Sequence, residues 1–552
     1  MEYKDMCFYR VWLRSFRDGN GDGIGDLQGV LDRLDYIQSL HTDGLWLSPV
    51  FPTGGENGTG GVTDFKSVAP EYGDLELFRL LLEEAHQRGM TVILDLPVNH
   101  SSHRHPWFKA SCRGEKPYRD YYIWRKAAEG KKLPNNWQSQ YGGPAWEWNE
   151  NRKAFYLHLF DEKEPDLNMN NPAVRREFKS ILRFWLELGV DGFQLEKVTF
   201  LSKAKGLPDG FPLMPVLRGI GKYNHGPNLH AMLQEFRRDV LEDSGTLTIG
   251  DAPFTTPRTA LDYLIRPEND LDLLVPSAPM TGDCFFLSRL HHRFLLWKQK
   301  ILWSRWQKSM EEQGWNLLYL ESPDHPRAIS RFGSEQFRSD CGKSLAVSYL
   351  FQQGTPCIYQ GQEIGMTNIR LDSINCYNDP QTRSLYRGLS PKLARGGLRR
   401  VWTGSPESAR TPMQWDDTRN AGFTEGEPWF YVNQNYREVN VADQESDPES
   451  LLNFYRRAME LRKEIPAVRS GSYRDLRPLS NKLHVYERRT RHTRLLVICS
   501  YSSKDVMFRA PRDYDLHQGR LLLTSHGSEH KNGSFLLHPY ETRVYYFDDR
   551  RK

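Results

Sequence analysis

The sequence predicts an α/β protein whose parallel strands close into a (β/α)8 barrel. Short apolar segments recur along most of the chain, and each is followed by a segment with helical spacing of its apolar residues. None of the short segments alternates strictly between apolar and polar residues, which is typical of parallel strands buried on both faces. The predicted strands are 44–47, 91–96, 192–196, 246–249, 315–320 and 356–359.

Helical segments separate these strands. Asn171 followed by Pro172 is typical of a helix start, because asparagine caps the first turn and proline is tolerated at the first helical position. Apolar residues then continue at helical spacing and predict one buried face, formed by Val174, Phe178, Ile181, Leu182 and Trp185. A second such face is predicted from Leu27, Leu31, Leu34, Ile37 and Leu40.

The alternation of strands and helices breaks in two places, which predicts two further domains. Residues 99–170 are rich in Trp, Asn, Pro and Gly and are too long for a simple loop. From residue 471 onward, helical spacing gives way to segments typical of antiparallel strands. We predict a barrel over 1–98 and 171–470, an inserted B domain over 99–170 and a C-terminal β-sandwich over 471–552.

The composition argues against several classes of protein. The 552 residues carry a formal net charge of only +4, without the concentrated basic face that nucleic-acid binding needs. No apolar run of about 18 residues predicts a membrane span, and the N-terminus lacks the apolar core of an export signal. The seven cysteines form no C-x-x-C pair, which suits a reducing compartment. We expect a cytoplasmic protein that binds neither nucleic acid nor membrane.

Carboxyl groups stand where several predicted strands end, which is where such barrels place their chemistry. Glu196, Asp251 and Asp324 each follow a different strand, so barrel closure brings them to one rim. Three converging carboxylates favour acid–base or nucleophilic chemistry on a glycosidic bond, although any one of them could be a structural cap. Asp95, Asn99 and His100 lie at or just after the same end of another strand and are further candidates for the site.

The motifs around these residues resemble glycoside hydrolase family 13, the α-amylase superfamily. The resemblance covers nearly the whole chain and is most specific for the branch of oligo-1,6-glucosidases, dextran glucosidases and trehalose-6-phosphate hydrolases. It implies a TIM barrel with an inserted B domain and a C-terminal β-sandwich, and retaining hydrolysis of short α-glucosides. The segments that carry it are SFRDGNGDGIGD (15–26), DLPVNHSS (95–102), PDLN (165–168), YQGQEIGM (359–366) and ARTPMQWD (409–416).

The glycine-rich loop of the first motif has the oxygen spacing of a calcium site. Side-chain oxygens stand at loop positions 1, 3, 5 and 9 and a backbone carbonyl at 7, while Gly29 replaces the usual glutamate at 12. In the family this loop binds Ca²⁺ or Mg²⁺ as a structural ion; the alternative is a polar surface turn. We expect structural calcium, with magnesium as the other candidate, on Asp18, Asn20, Asp22, Ile24 and Asp26.

The active-site motifs depart from the family at several positions. Glu196 replaces the family's nucleophilic aspartate, and Gln194 replaces an arginine two residues earlier. Asp251 replaces the acid/base glutamate, and the third carboxylate, Asp324, has lost its preceding histidine. The family's Gly-Tyr-Asp run, which grips the terminal sugar, is matched by Thr59-Gly60-Gly61. The substrate-binding counterparts that remain are Asp95, His100 and Arg410, and Gln194 and Lys197 complete the expected substrate-binding set.

These substitutions predict a displaced reaction geometry. One carboxyl moves forward by a methylene and the other moves back, and a displacement of about 1 Å costs on the order of a hundredfold in rate. The lost arginine would have oriented the nucleophile and lowered its pKa. Lys197, directly after Glu196, either pairs with one of the three carboxylates and occupies the sugar's place or points into solvent.

Two hypotheses about function follow. The first is a hydrolase of the oligo-1,6-glucosidase type with weak or altered activity on a small α-glucoside or another sugar. In it, Glu196 is the nucleophile, Asp251 the acid/base and Asp324 the transition-state stabiliser. The second is a pseudoenzyme that binds a sugar or a protein partner without cleaving it. The many changes at one site favour the loss of ordinary activity.

Overall fold

The centre of the structure is an eight-stranded parallel sheet that is nearly closed into a barrel. The structure is a computed structural model, and it describes residues 2–55, 58, 60–127, 132–242, 244–265, 269–283, 294–387, 396–527 and 533–549. Numbered along the chain, the barrel strands are hydrogen-bonded in the order 7-8-1-2-3-4-5-6. Their bounds are Phe8–Val11, Gly44–Leu47, Thr91–Pro97, Gly192–Glu196, Leu247–Ala252, Leu273–Pro276, Leu317–Leu318 and Thr355–Tyr359.

This sheet confirms the predicted fold class, and six of its strands lie on predicted segments. The pattern did not predict the first strand, Phe8–Val11, or the sixth, Leu273–Pro276. In the first strand Arg10 interrupts an otherwise apolar run, and a buried charge of this kind is compatible with a strand only when it finds a partner. The seventh strand is shorter than predicted and covers only Leu317–Leu318.

Helices surround the barrel. The helix Pro172–Leu188 starts where predicted, with the Asn171 side chain accepting a hydrogen bond from the Ala173 N–H. The predicted helix near the N-terminus is divided in two, with Arg33 in a non-helical conformation between Leu27–Leu31 and Leu34–Ser39. In the described ranges no helix has the length and apolar character of a membrane span. The remaining α-helices are Leu75–Gln87, Pro106–Cys112, Ile220–Tyr223, Leu229–Phe236, Pro257–Leu264, Leu296–Met310, Ala328–Phe332, Arg338–Leu350, Pro380–Arg387, Gly397–Gly404, Val441–Ser446, Leu451–Glu464 and Pro466–Ser470.

Antiparallel sheets form in both regions where the barrel pattern breaks. The insertion after the third barrel strand carries a three-stranded sheet, with Ala154–Leu157 between Trp124–Lys126 and Trp146–Asn149. The C-terminal region carries a five-stranded and a two-stranded sheet, and one buried apolar cluster contains residues from both. The C-terminal strands are Ser472–Asp475, Leu483–Arg489, Thr493–Ser500, Val506–Arg509, Arg520–Thr524, Ser534–Leu537 and Thr542–Asp548.

Candidate active site

The register of the parallel strands brings candidate carboxyl groups together at one rim of the barrel. Pro97 on the third strand lies opposite Glu196 on the fourth, and Leu195 lies opposite Gly250 on the fifth. The next residue on the fifth strand, Asp251, is therefore a lateral neighbour of Glu196. Parallel strands end at the same edge of the sheet. Barrels of this type carry their active sites at that edge, beyond the carboxyl ends of the strands.

Three of the four carboxyl groups at this rim pair with a cation. Asp95 lies on the third strand, and Asp324 lies in the loop after the seventh strand. The three cations come from three distant parts of the chain: the first strand, the residue after the fourth strand and the segment Pro406–Arg410. The pairs are Arg10 with Asp95 at 2.8 Å, Lys197 with Asp251 at 2.5 Å and Arg410 with Asp324 at 3.2 Å.

Glu196 differs from the other three carboxyl groups. Among the described residues it forms no ion pair, and it is half-buried within reach of the charges of the other three carboxyl groups. Burial raises the pKa of Glu196 to about 8, with further increases from the negative charges of Asp95, Asp251 and Asp324, while Lys197 acts in the opposite direction. The raised pKa favours the neutral form of Glu196, a carboxylic acid that can donate a proton.

Lys197 takes the first of the two orientations that the sequence left open. Its Nζ donates to Asp251 Oδ2, and its side chain is 28% exposed, so it does not extend freely into solvent. Burial lowers the pKa of Lys197, but the charges of Asp251, Asp324 and Glu196 outweigh that effect and raise it overall. The residue has a left-handed backbone with φ 53°, which costs a side-chain-bearing residue about 1–2 kcal/mol. Such strain is typical of functional positions.

Asp95, also one of the four carboxyl groups, is held by two side chains that the sequence pattern did not point to. Its Oδ1 accepts from Trp46 Nε1 at 2.6 Å, its Oδ2 accepts from Arg10 at 2.8 Å, and the residue is 1% exposed. The Arg10 guanidinium also lies 4.5 Å from the centre of the Trp46 ring. Burial raises the pKa of Asp95, although Arg10 and the Trp46 hydrogen bond act against it. In the sequence, the pairing of Arg10 is indicated by the position of this arginine in the middle of an apolar segment.

Arg10 Nε, beside Asp95, has no hydrogen-bond partner among the described residues, and neither do two buried polar atoms of the predicted site residues. They are Gln194 Oε1, two residues before Glu196 on the same strand, and Nδ1 of His100, whose ring is 5.0 Å from that of Phe160. Buried polar atoms are normally satisfied, so a ligand or water is expected at these positions. Arg410 is in contrast well held, since its Nε donates to the Pro323 carbonyl at 2.8 Å.

The glycines at the position of the family's sugar-gripping run have a backbone that excludes larger residues. Gly60 and Gly61 have φ values of 82° and 72°. A Cβ atom on Gly61 would lie 2.7 Å from the Ser102 nitrogen, and one on Gly60 would lie 2.7 Å from the Gly55 nitrogen. Tyrosine and aspartate therefore do not fit this loop as it is folded. Thr59, which matches the first residue of the family's Gly-Tyr-Asp run, lies outside the described residues.

The oxygens of the predicted calcium loop hold the loop's own backbone. Asp18 accepts from the Asn20, Gly21 and Gly23 amides and from the Thr424 hydroxyl, and Asp26 caps the following helix at Gly29. In the described part of the chain no three Asp, Glu, His or Cys side chains are grouped as metal ligands. Exposed Asn20 and Asp22 and the Ile24 carbonyl keep acceptor capacity, so the donor set fits a metal only in part. The site remains a prediction on Asp18, Asn20, Asp22, Ile24 and Asp26.

Calcium provides a direct test of this loop. If the loop binds calcium, saturating Ca²⁺ should raise the melting temperature by about 2 °C relative to EDTA, because ligand binding to the folded state alone stabilises it. The Asp22→Ala variant should lose this shift. Asp64→Ala is a matched control, because Asp64 is likewise an exposed aspartate that accepts the backbone N–H two residues later. Equal melting temperatures of the wild type in Ca²⁺, Mg²⁺ and EDTA would leave the loop as a polar turn.

Comparison with known proteins agrees with the barrel fold. Residues 10–471 match the family model described as alpha amylase, catalytic domain. An oligo-1,6-glucosidase of Halalkalibacterium halodurans is 40% identical over 556 residues, and a trehalose-6-phosphate hydrolase of Bacillus subtilis is 34% identical over 557; each match covers 98% of both chains. Among solved structures, trehalose-6-phosphate hydrolase of Bacillus licheniformis aligns with a TM-score of 0.93 at 34% identity, and isomaltulose synthase of Klebsiella sp. LX3 with 0.95 at 33%. Both alignments cover 99% of each chain.

Proposed function

The chain belongs to the alpha-amylase family. We propose that it is an oligo-1,6-glucosidase-like protein whose hydrolysis of short α-glucosides is strongly weakened. The observation that carries the proposal is the ion pair between Lys197 and Asp251. In relatives with the usual residues, the group at the Asp251 position donates a proton to the leaving oxygen. A carboxylate in an ion pair has no proton to donate, and loss of general acid catalysis costs about 10²–10⁴-fold.

The other half of the reaction is weakened as well. A retaining glycosidase needs an ionised nucleophile, whereas a pKa of about 8 leaves Glu196 mainly protonated at pH 7. The Gly60-Gly61 backbone also removes the side chains that would hold the terminal sugar in place. Together these effects lead us to expect a kcat/KM for α-glucosides at least about 10³-fold below that of an active relative.

The test is hydrolysis of 4-nitrophenyl α-glucoside and isomaltose beside the Halalkalibacterium halodurans oligo-1,6-glucosidase, with a Glu196→Gln variant purified in the same way. We expect the wild type to fall at least about 10³-fold below the relative. A rate within tenfold of the relative that disappears in Glu196→Gln would contradict the proposal, since it would make Glu196 an ordinary working nucleophile.

A non-catalytic role is the second candidate, and the unpartnered atoms of Gln194 and His100 favour it. Polar atoms of this kind suit a bound sugar, whose hydroxyl groups can donate to them. If the protein has this role, sugars should raise its melting temperature. Its turnover of glycosides should at the same time be no higher than that of the Glu196→Gln variant. Protection by a sugar that is also turned over would instead favour the enzyme.

A further inference from the structure

Glu196 and Asp251 are neighbouring carboxyl groups, and the cation Lys197 forms its ion pair with Asp251. Lys197 Nζ is 2.5 Å from Asp251 Oδ2. Gln194, which precedes Glu196 by two residues and so shares its face of the strand, is neutral. The two carboxyl side chains also have the reverse lengths of the pair that the family resemblance implies. Cation placement and side-chain length are thus exchanged together.

A retaining mechanism assigns a different protonation state to each carboxyl. The nucleophile is ionised and is commonly held by a nearby cation, whereas the acid/base begins protonated and lies in surroundings that disfavour its charge. The ion pair with Lys197 places Asp251 in the first state. Glu196, half-buried among three other carboxyl groups and without an ion pair in the described residues, is in the second.

We propose that Asp251 and Glu196 have exchanged roles, with Asp251 as the nucleophile and Glu196 as the acid/base, and that the site therefore cleaves β-linked rather than α-linked glycosides. The proposal rests on the proposed function, because weak α-glucoside hydrolysis is its starting point. Lys197 is then a positioning residue for the nucleophile.

The two steps balance with these residues alone. Asp251 Oδ attacks the anomeric carbon, the glycosidic C–O bond breaks, and the Glu196 proton moves to the departing oxygen. Water then attacks the anomeric carbon of the aspartyl ester and gives its proton to the Glu196 carboxylate, and the ester bond breaks to release the sugar. The sum is one glycoside and one water converted to one sugar and one alcohol.

The linkage follows from the faces of the sugar ring. In a retaining site the nucleophile and the acid/base face the ring from opposite sides, so exchanging them reverses the side of attack. A sugar that keeps the ring orientation of α-glucosides in the relatives then presents a β leaving group to Glu196.

The experiment is to trap the covalent intermediate on the wild-type protein with 2,4-dinitrophenyl 2-deoxy-2-fluoro-β-glucoside and, in parallel, with 5-fluoro-α-glucosyl fluoride, followed by peptide mass mapping. We expect the β probe to label Asp251 and the α probe to label neither carboxyl. The β probe should still label Glu196→Gln, because dinitrophenolate leaves without a proton, and should not label Asp251→Asn. With 4-nitrophenyl substrates, kcat/KM for the β anomer should exceed that for the α anomer at least about tenfold.

Two outcomes would overturn the exchange of roles: a label on Glu196 with either probe, or no label on Asp251 with the β probe. Neither outcome depends on a variant that might fail to fold, because both are read on the wild type. The comparison of α-glucoside rates with the relative decides the proposed function separately. A low α rate without an Asp251 label would leave that function standing and remove only the exchange.

Discussion

Replacing Gly61 with alanine should lower the free energy of unfolding by about 2–4 kcal/mol, because two penalties coincide. The φ of 72° is left-handed, which costs a residue with a Cβ atom about 1–2 kcal/mol. The new Cβ would also lie 2.7 Å from the Ser102 nitrogen and 2.8 Å from the Ser101 carbonyl carbon, both of them backbone atoms that cannot turn away. Urea unfolding followed by tryptophan fluorescence measures the loss.

Gly89→Ala is the matched control for this prediction. Gly89 has nearly the same φ, 73°, but a Cβ atom there would meet nothing within 4 Å. It should cost about 1–2 kcal/mol from the backbone alone. Equal losses in the two variants would remove the steric argument. A larger loss at Gly61 would show that the folded loop lacks space for a side chain at the position of the family's aspartate.

Replacing Arg10 with methionine should cost about 3–5 kcal/mol, the penalty for removing one partner of a buried ion pair. Asp95 is 1% exposed and would keep only the Trp46 hydrogen bond. Asp95 would then bind a proton more readily, and losing its negative charge would lower the pKa of Glu196. The alkaline limb of any Glu196-dependent activity should therefore move to lower pH.

The Arg10→Met/Asp95→Asn double variant is the control, measured by urea unfolding beside both single variants. It removes both charges, so it should regain most of the stability that Arg10→Met loses. Strictly additive losses would show that the two side chains do not depend on each other, and would contradict the view of Arg10 as the cation that makes Asp95 tolerable in the core.

The architecture was largely predictable, because it depends on local patterns that recur along the chain. Strand 192–196 and the helix cap at Asn171 are encoded by neighbouring residues, and both formed as predicted. The site was harder to predict from the sequence, because its charged residues pair across long sequence separations. Arg10 and Asp95 are 85 residues apart, and Lys197 and Asp251 are 54 apart. From the sequence, Lys197 could pair with any of three carboxylates or point into solvent. The folded barrel places it beside Asp251.

The conformation of Gly60 and Gly61 was likewise beyond the sequence pattern. Two adjacent glycines indicate only a permissive backbone. In the structure the loop instead packs against Gly55, Ser101 and Ser102, and that close approach depends on where the loop after the third strand passes. Substitution of the family's residues could be read from the sequence, but the loss of space for their side chains could not.

Glu196 should be the neutral carboxyl at pH 7, while Asp251 is held by the ion pair with Lys197, and titration of the Glu196 carboxyl is the measurement that decides this. The protein would be labelled with ¹³C-δ-glutamate, and the Glu196 signal assigned as the one missing from Glu196→Gln. We predict a titration with a pKa of about 8, so that the carboxyl is mainly neutral at pH 7. Lys197→Met should move the pKa higher, because the lysine charge lowers it. A Glu196 carboxyl that is already fully ionised at pH 6 would contradict its role as the acid/base. Glu196 would then be the nucleophile that the family resemblance implies.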